Sequence, residues 1–291
     1  MTAYFFRHAI RFFYQNNSTI SGYYIFIKVQ RRRDVYKAVL ITGASSGIGR
    51  ELARVFAENG NNIVLTARDE KRLSELKDEL ETQYGVAVWY IARDLSDENA
   101  VSEIYEYTLE QELQIDILIN NAGFGDFGDF ASCDIEKQIK MTAVNILAVL
   151  RLTRIFLPSM IECGCGSIMN TASLAAFEPG PFFSVYYATK AFVLSFSEAL
   201  CVELKKTGVN VTALCPGSTV TGFEKAADAQ TSGLFKNFYL TSARYVADYA
   251  YKALKRKKAV AICALPNKIT AFMTRLLPRR LVRELVGFLQ K

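Results

Sequence analysis

Histidine is almost missing from this 291-residue chain; the one imidazole is His8, far from every motif that follows. That position excludes Ser-His-Asp hydrolysis and any histidine-based metal centre, so no metal is expected. Paired cysteines are missing as well. Cys133, Cys163, Cys165, Cys201, Cys215 and Cys263 are scattered without a C-x2-C pair, and a chain this long folds without a disulfide framework. A reducing, cytoplasmic setting is the expectation. No unbroken apolar run approaches the ~18–20 residues of a membrane-spanning helix. Residues 1–33 also lack a long apolar h-region and an A-x-A-like cleavage site, so no secretory signal is expected. The net charge of +6 is concentrated: residues 1–33 hold six Lys/Arg and no acid, which leaves 29 basic against 29 acidic residues in the remainder. A neutral body argues against a nucleic-acid partner.

What is present is an alternation. Ala38–Thr42, Asn62–Ala67, Ala87–Ala92 and Ile115–Asn120 are short apolar runs that read as strands, separated by helical stretches at Gly49–Glu58, Glu70–Gln83 and near Glu98–Gln111. Two longer helices, about Ile135–Met160 and Tyr186–Lys206, are interleaved with strands Ser167–Thr171 and Asn210–Cys215. The fold class is therefore α/β, a doubly wound parallel sheet of six or seven strands joined by right-handed crossovers. It forms a single domain over 35–264, with an N-terminal extension at 1–34 and a basic amphipathic segment at 265–291.

Between the first strand and first helix stands Thr42-Gly43-Ala44-Ser45-Ser46-Gly47-Ile48-Gly49. Glycines there allow a tight turn and let backbone N–H groups and the helix N-terminus face a pyrophosphate. The acid that would take a ribose 2′-hydroxyl after the second strand is replaced by Arg68, whose guanidinium suits a 2′-phosphate, so NADP(H) is expected over NAD(H). A solvated arginine is the competing reading; Asp69 stands beside it, and Arg50 is a further candidate. Asp94-Leu95 ends the third strand, placed to meet an adenine edge. Asn120-Asn121-Ala122-Gly123 ends the fourth, where small residues permit close approach of a ribose. Either could be plain loop chemistry.

Tyr186 and Lys190 are four apart and share one helix face. A nearby ammonium and a positive nicotinamide favour phenolate, bringing Tyr186 toward working pH as a general acid/base. Ser173, thirteen residues upstream at a strand end, can hydrogen-bond a reacting carbonyl. Tyr187 is the rival phenol, but its spacings to Ser173 and Lys190 differ from those of Tyr186.

Thr42–Gly49, Asn120–Gly123, Asn145, Ser173, Tyr186-x3-Lys190 and Pro216-Gly217 stand in an order and spacing that resembles the short-chain dehydrogenase/reductase family over about residues 36–265. The resemblance implies a Rossmann fold and a ketone/secondary-alcohol oxidoreductase. It implies that Tyr186 moves the proton and that Ser173 orients the carbonyl. Lys190 would lower the Tyr186 pKa and hold the nicotinamide ribose, and Asn145 would help hold a water-linked proton path. It further implies that Gly43, Ser45, Ser46, Gly47, Ile48, Gly49, Arg68, Asp94, Leu95, Asn121, Ala122 and Gly123 line the cofactor site. Pro216, Gly217, Thr219 and Thr221 resemble the nicotinamide-carboxamide clamp.

The substrate side is expected between Ser173–Phe183, with Phe177, Pro179, Pro181, Phe182 and Phe183, and a segment around Gly222–Tyr239. Those aromatic residues suggest an apolar or bulky carbonyl compound, a 3-oxoacyl group or similar, and ordinary loop packing is the plain alternative. Lys225 and Lys236 are the cations at hand for an anionic substrate. Residues 1–33, with nine aromatic residues, read as an interfacial helix, a targeting segment or an extension from an upstream start codon. Leu265–Lys291 carries six Lys/Arg against one acid; it either packs on its own core or a second subunit, or makes peripheral contact with an anionic membrane. A homo-oligomer is the expected assembly. The competing function is a non-catalytic NADP(H)-binding sensor or scaffold protein.

Overall fold

In the computed structural model, residues 35–223, Ala227 and 240–290 are described. Expectations for 1–34, and for Lys225, Lys236 and most of the Gly222–Tyr239 segment, lie outside the described residues.

The strand β1 (Tyr36–Thr42) is buried from Ala38 onward on both faces, which is the signature of a strand covered by helices on either side. Around it the chain lays down α1 (Gly47–Glu58), β2 (Asn62–Ala67), α2 (Glu70–Tyr84), β3 (Val88–Ala92), α3 (Ala100–Glu110) and β4 (Leu113–Asn120). A long helix α4 (Ile135–Glu162) follows, then β5 (Gly166–Thr171), α5 (Ser184–Glu203) and β6 (Val209–Cys215). A two-stranded ribbon, β7 (Thr219–Val220) with β8 (Thr241–Ser242), precedes α6 (Ala243–Lys255), β9 (Val260–Ile262), α7 (Leu265–Leu276) and α8 (Arg279–Gln290).

The main sheet has seven parallel strands in the order β3-β2-β1-β4-β5-β6-β9. Alternation along each strand splits the core in two. Ile41, Ile63 and Leu65 meet Leu52 and Phe56 of α1, Leu76 of α2 and Val246 of α6. Leu40, Val64 and Leu118 meet Ile104 of α3 and Leu152 and Phe156 of α4 on the other face. Leu40 is fully buried, so Leu40→Ala removes packing worth about 2–5 kcal/mol.

The helix α4 is long and apolar enough to cross a membrane by length and composition, with a mean hydropathy of 1.6 over its best window, half of which is buried within the fold. Arg151 and Arg154 interrupt it, so it holds no unbroken apolar run of that length. Its Val144, Ala148, Leu152, Ile155 and Phe156 pack on the sheet. One turn, Ala143–Leu147, is π-helical, a local widening often found at functional sites. The segment after 264 forms α7 and α8, parted near Pro278, which cannot donate a helical hydrogen bond.

Candidate active site

Winding reverses between β1 and β4, and in such sheets the crevice beyond the strands' carboxyl ends is where ligands bind. Here a cleft of about 1220 Å³ opens there. That exceeds the roughly 300–1,000 Å³ of an ordinary ligand pocket, room for a dinucleotide and a second reactant.

One wall is the turn from β1 into α1. Gly43 and Gly47 have φ of +66° and +54°, and side chains there would come within 2.9 Å of Ala122 Cα and Thr221 Cβ. Gly49 lies beneath the wall, where a Cβ would meet the Gly43 carbonyl oxygen at 2.2 Å. Ser46 caps α1 in an extended conformation without a side-chain hydrogen bond, so the first N–H groups of the helix keep no side-chain partner. A glycine-lined turn leading into an uncapped helix N-terminus fits a dinucleotide pyrophosphate.

Across the crevice the Thr42 hydroxyl joins β1 to the end of β4. It donates to the Ile119 carbonyl at 3.3 Å and accepts from the Asn121 and Ala122 N–H groups, both at 2.9 Å. Thr42 is part of the glycine motif, but nothing in its spacing distinguishes such a brace from another strand-end threonine.

Arg68 lies exposed on the cleft wall, and no carboxylate among the described residues forms an ion pair with it. Asp69 is spent elsewhere: it accepts from the Arg72 N–H at 3.1 Å, capping α2, and pairs with the Arg72 guanidinium at 3.2 Å. Arg50 is not available as a second cation at the cleft, because it pairs with Glu79 at 3.0 Å alongside Arg54. Asp94 lines the cleft while its Oδ1 accepts from the Ser96 N–H and hydroxyl, and Leu95 is buried beside it.

The opposite wall carries the reactive side chains. Ser173 follows β5, its hydroxyl accepts from the Ala175 N–H at 3.1 Å, and it lines the same cleft as Tyr186. Lys190, 5% exposed, donates to the Thr171 carbonyl at 2.9 Å, with its ammonium 5.7 Å from the centre of the Tyr186 ring. Gly123 leaves the space above it, since a Cβ would stand 3.2 Å from Lys190 Nζ and 2.9 Å from Asn145 Oδ1.

Burial pushes the Tyr186 phenol up to about 12, the Ser173 hydroxyl on the same wall drawing it partly back, and burial pulls Lys190 down to about 8. This differs from the expectation that Lys190 brings Tyr186 toward working pH. Desolvation outweighs the ammonium, whose hydrogen bond goes to a backbone carbonyl. Tyr187 also borders the cleft, but it is buried and its hydroxyl is occupied, accepting from Gln290 Nε2 at 2.9 Å.

Asn145, in the π turn of α4, is 1% exposed and lies under the wall. Its amide donates to the Phe124 carbonyl and Thr189 hydroxyl, both at 3.0 Å, and accepts from the Phe124 N–H at 3.2 Å. Every other residue predicted for the site lines the cleft, Gly49 excepted. The 216–221 segment closes over the glycine turn, with Thr221 against Gly47 and Thr219 tied to the Gly217 carbonyl at 2.9 Å.

Of the aromatic residues expected to bound the substrate, Phe183 and Phe223 line the cleft, while Phe177 packs on the core and Phe182 lies beside Phe127. The rest of that end is apolar wall from α7 and α8, including Met273, Val282 and Val286, together with Glu178. Burial raises the Glu178 carboxyl to about 7. Glu178 was missed because one acid in an aromatic loop carries no periodicity or spacing that marks it.

Residues 37–232 match the short chain dehydrogenase family. The chain belongs to that family. Curated short chain dehydrogenase relatives include the ketoacyl reductase HetN of Nostoc, 34% identical over 241 residues, with 83% of each chain covered. The probable oxidoreductase EphD of Mycobacterium tuberculosis is 34% identical over 258 residues, 84% of this chain; the chain spans only 43% of that longer relative. Among solved structures, a short-chain dehydrogenase from Sphingobium yanoikuyae in complex with NADPH is 33% identical with a TM-score of 0.74, covering 83% of this chain and 94% of that one. A bulky-bulky ketone specific alcohol dehydrogenase from Comamonas testosteroni is 32% identical, TM-score 0.70, covering 83% and 93%. A Burkholderia phymatum family member in complex with NAD is 26% identical, TM-score 0.74, covering 82% and 92%. The short chain dehydrogenase cleft is thus one that holds a nicotinamide cofactor, of either kind among these neighbours.

Proposed function

We propose that the protein is an NADP(H)-dependent oxidoreductase that interconverts a bulky or apolar ketone and its secondary alcohol. The observation that carries this reading is the convergence of Ser173, Tyr186 and the buried Lys190 on one cleft wall, with the Lys190 ammonium 5.7 Å from the centre of the Tyr186 ring. When bound, the nicotinamide supplies or accepts the hydride at the carbonyl carbon. The chain's own residues handle the oxygen. In reduction, Tyr186 gives its phenolic proton to the carbonyl oxygen and Ser173 holds that oxygen by a hydrogen bond. Lys190, fixed by the Thr171 carbonyl, offsets the negative charge left on the phenolate. Asn145 anchors the Phe124 backbone and the Thr189 hydroxyl, holding the strand-end loop against the helix that carries Tyr186 and Lys190.

The preference for NADP(H) rests on Arg68, which is exposed on the cleft wall and has no carboxylate partner among the described residues, while Asp69 is spent on Arg72. Arg68→Ala should raise the KM for NADPH by about 10–100-fold, the value of a charge-assisted hydrogen bond, and leave that for NADH nearly unchanged. Equal changes for both cofactors would remove Arg68 from the 2′-phosphate.

Tyr186→Phe tests the chemistry. Turnover in an NADPH-consumption screen over ketones graded by size should fall by about 10²–10⁴-fold. NADPH binding, followed by nicotinamide fluorescence, should persist. Near-normal kcat in that variant defeats the assignment, whereas NADPH binding by the native protein with no turnover across the panel favours the sensor reading.

A further inference from the structure

Among the described residues, α7 is turned outward. Leu265, Ile269, Phe272, Met273 and Leu276 recur at intervals of three to four and share one face, each between 40% and 68% exposed. Asn267 and Ala271 occupy the buried side. An ordinary surface helix does the reverse. On α8, Val282 and Val286 face the core, while Leu281, Leu285 and Phe288 extend the apolar arc into solvent, Phe288 at 78%. The rim of this patch is basic: Lys268, Arg275, Arg279, Arg280 and Arg283 are exposed, against the single acid Glu284, which pairs with Arg283 at 3.7 Å.

We propose that α7 and α8 form a docking surface for an anionic membrane and that apolar substrate enters the cleft from it. Charge selects this occupant. A second copy of the chain placed face to face would bring five cations onto five, and residues 1–33, with six Lys/Arg and no acid, carry the same sign. Anionic headgroups supply the missing charge, and the acyl boundary takes the phenylalanine and leucine side chains. Continuity with the site supports the second half, which rests on the oxidoreductase reading above. Ile269, Met273 and Leu285 belong both to the exposed face and to the cleft wall, so the apolar end of the cleft opens onto the patch.

The test is flotation of the full chain with vesicles of phosphatidylcholine, with and without phosphatidylglycerol. Two variants accompany it: Phe272→Ser with Leu276→Ser and Phe288→Ser, and Arg275→Gln with Arg279→Gln and Arg280→Gln. None of these residues lines the cleft. The native chain should float only with the anionic vesicles, and each variant should bind at least about tenfold less, with melting temperature and turnover of a small water-soluble ketone unchanged. The proposal is overturned if the native chain stays unbound, or if either folded variant floats as the native chain does. An oligomer that dissociates in the apolar variant, with no vesicle binding, would assign the face to contact between copies. Flotation reads no turnover, so loss of the oxidoreductase reading and loss of membrane docking are told apart.

Discussion

The Lys190 ammonium changes its charge within the range over which a dehydrogenase is assayed, because burial draws its pKa down to about 8. Tyr186, pushed up to about 12, stays protonated across that range and is ready as a donor. Below about 8 the cation is present to meet the phenolate left after proton transfer; above it the cation is lost. The kcat for ketone reduction should therefore fall as pH rises past about 8, approaching tenfold per pH unit at the limit. A profile flat from pH 6.5 to 9.5 would exclude Lys190 as the charge that matters. Glu178 works on stability instead. Its folded-state carboxyl holds its proton up to about 7, against 4.5 ordinarily, so the folded state binds the proton more tightly. Stability is then full below about 4.5 and declines as pH rises through 7. Glu178→Gln should raise the unfolding free energy at pH 8 by on the order of 1 kcal/mol, read from denaturant melts, and change little at pH 4.5. At this scale the sequence names Tyr186 and Lys190 because a spacing of four puts them on one helix face, and Ser173 because it stands at a strand end thirteen residues upstream. It misplaces the balance between burial and charge, which depends on neighbours such as Thr171 that only the fold brings near.

Elements follow their local chemistry closely. Asn62–Ala67 is the strand expected from its apolar run, and the helices end within a few residues of their expected bounds. The π turn in α4 is not legible, since Ala143–Leu147 has ordinary helical composition and the partners that Asn145 meets there, Phe124 and Thr189, are distant in sequence. Nor was the outward turn of α7, because amphipathic spacing fixes that a helix has two faces but not which one meets the core. The turn into α1 is a tight junction, and Gly49→Ala tests it. The new methyl would meet the Gly43 carbonyl and the Asn121 amide, costing about 1–3 kcal/mol and weakening NADPH binding. Denaturant melts together with fluorescence titration check both; a variant as stable as the parent would mean that the turn can relax.

Across residues 36–290, the cofactor wall comes from the ends of the first four strands and the reactive wall from the chain after β5, meeting where β1 lies beside β4. That division was readable, because alternating strands and helices restrict the winding to few arrangements. The Thr42 hydroxyl is the brace across the divide, and Thr42→Val would strand two backbone N–H groups at about 1–3 kcal/mol each. Those N–H groups lie some 79 and 80 residues away along the chain. Closing a loop of that length must precede the contact, and such distant parallel pairings form slowly. Helical signal should therefore return early in refolding from denaturant, with affinity for the dinucleotide returning only as the centre of the sheet zips shut. Stopped-flow circular dichroism and nicotinamide fluorescence recovering with one shared rate would contradict that order.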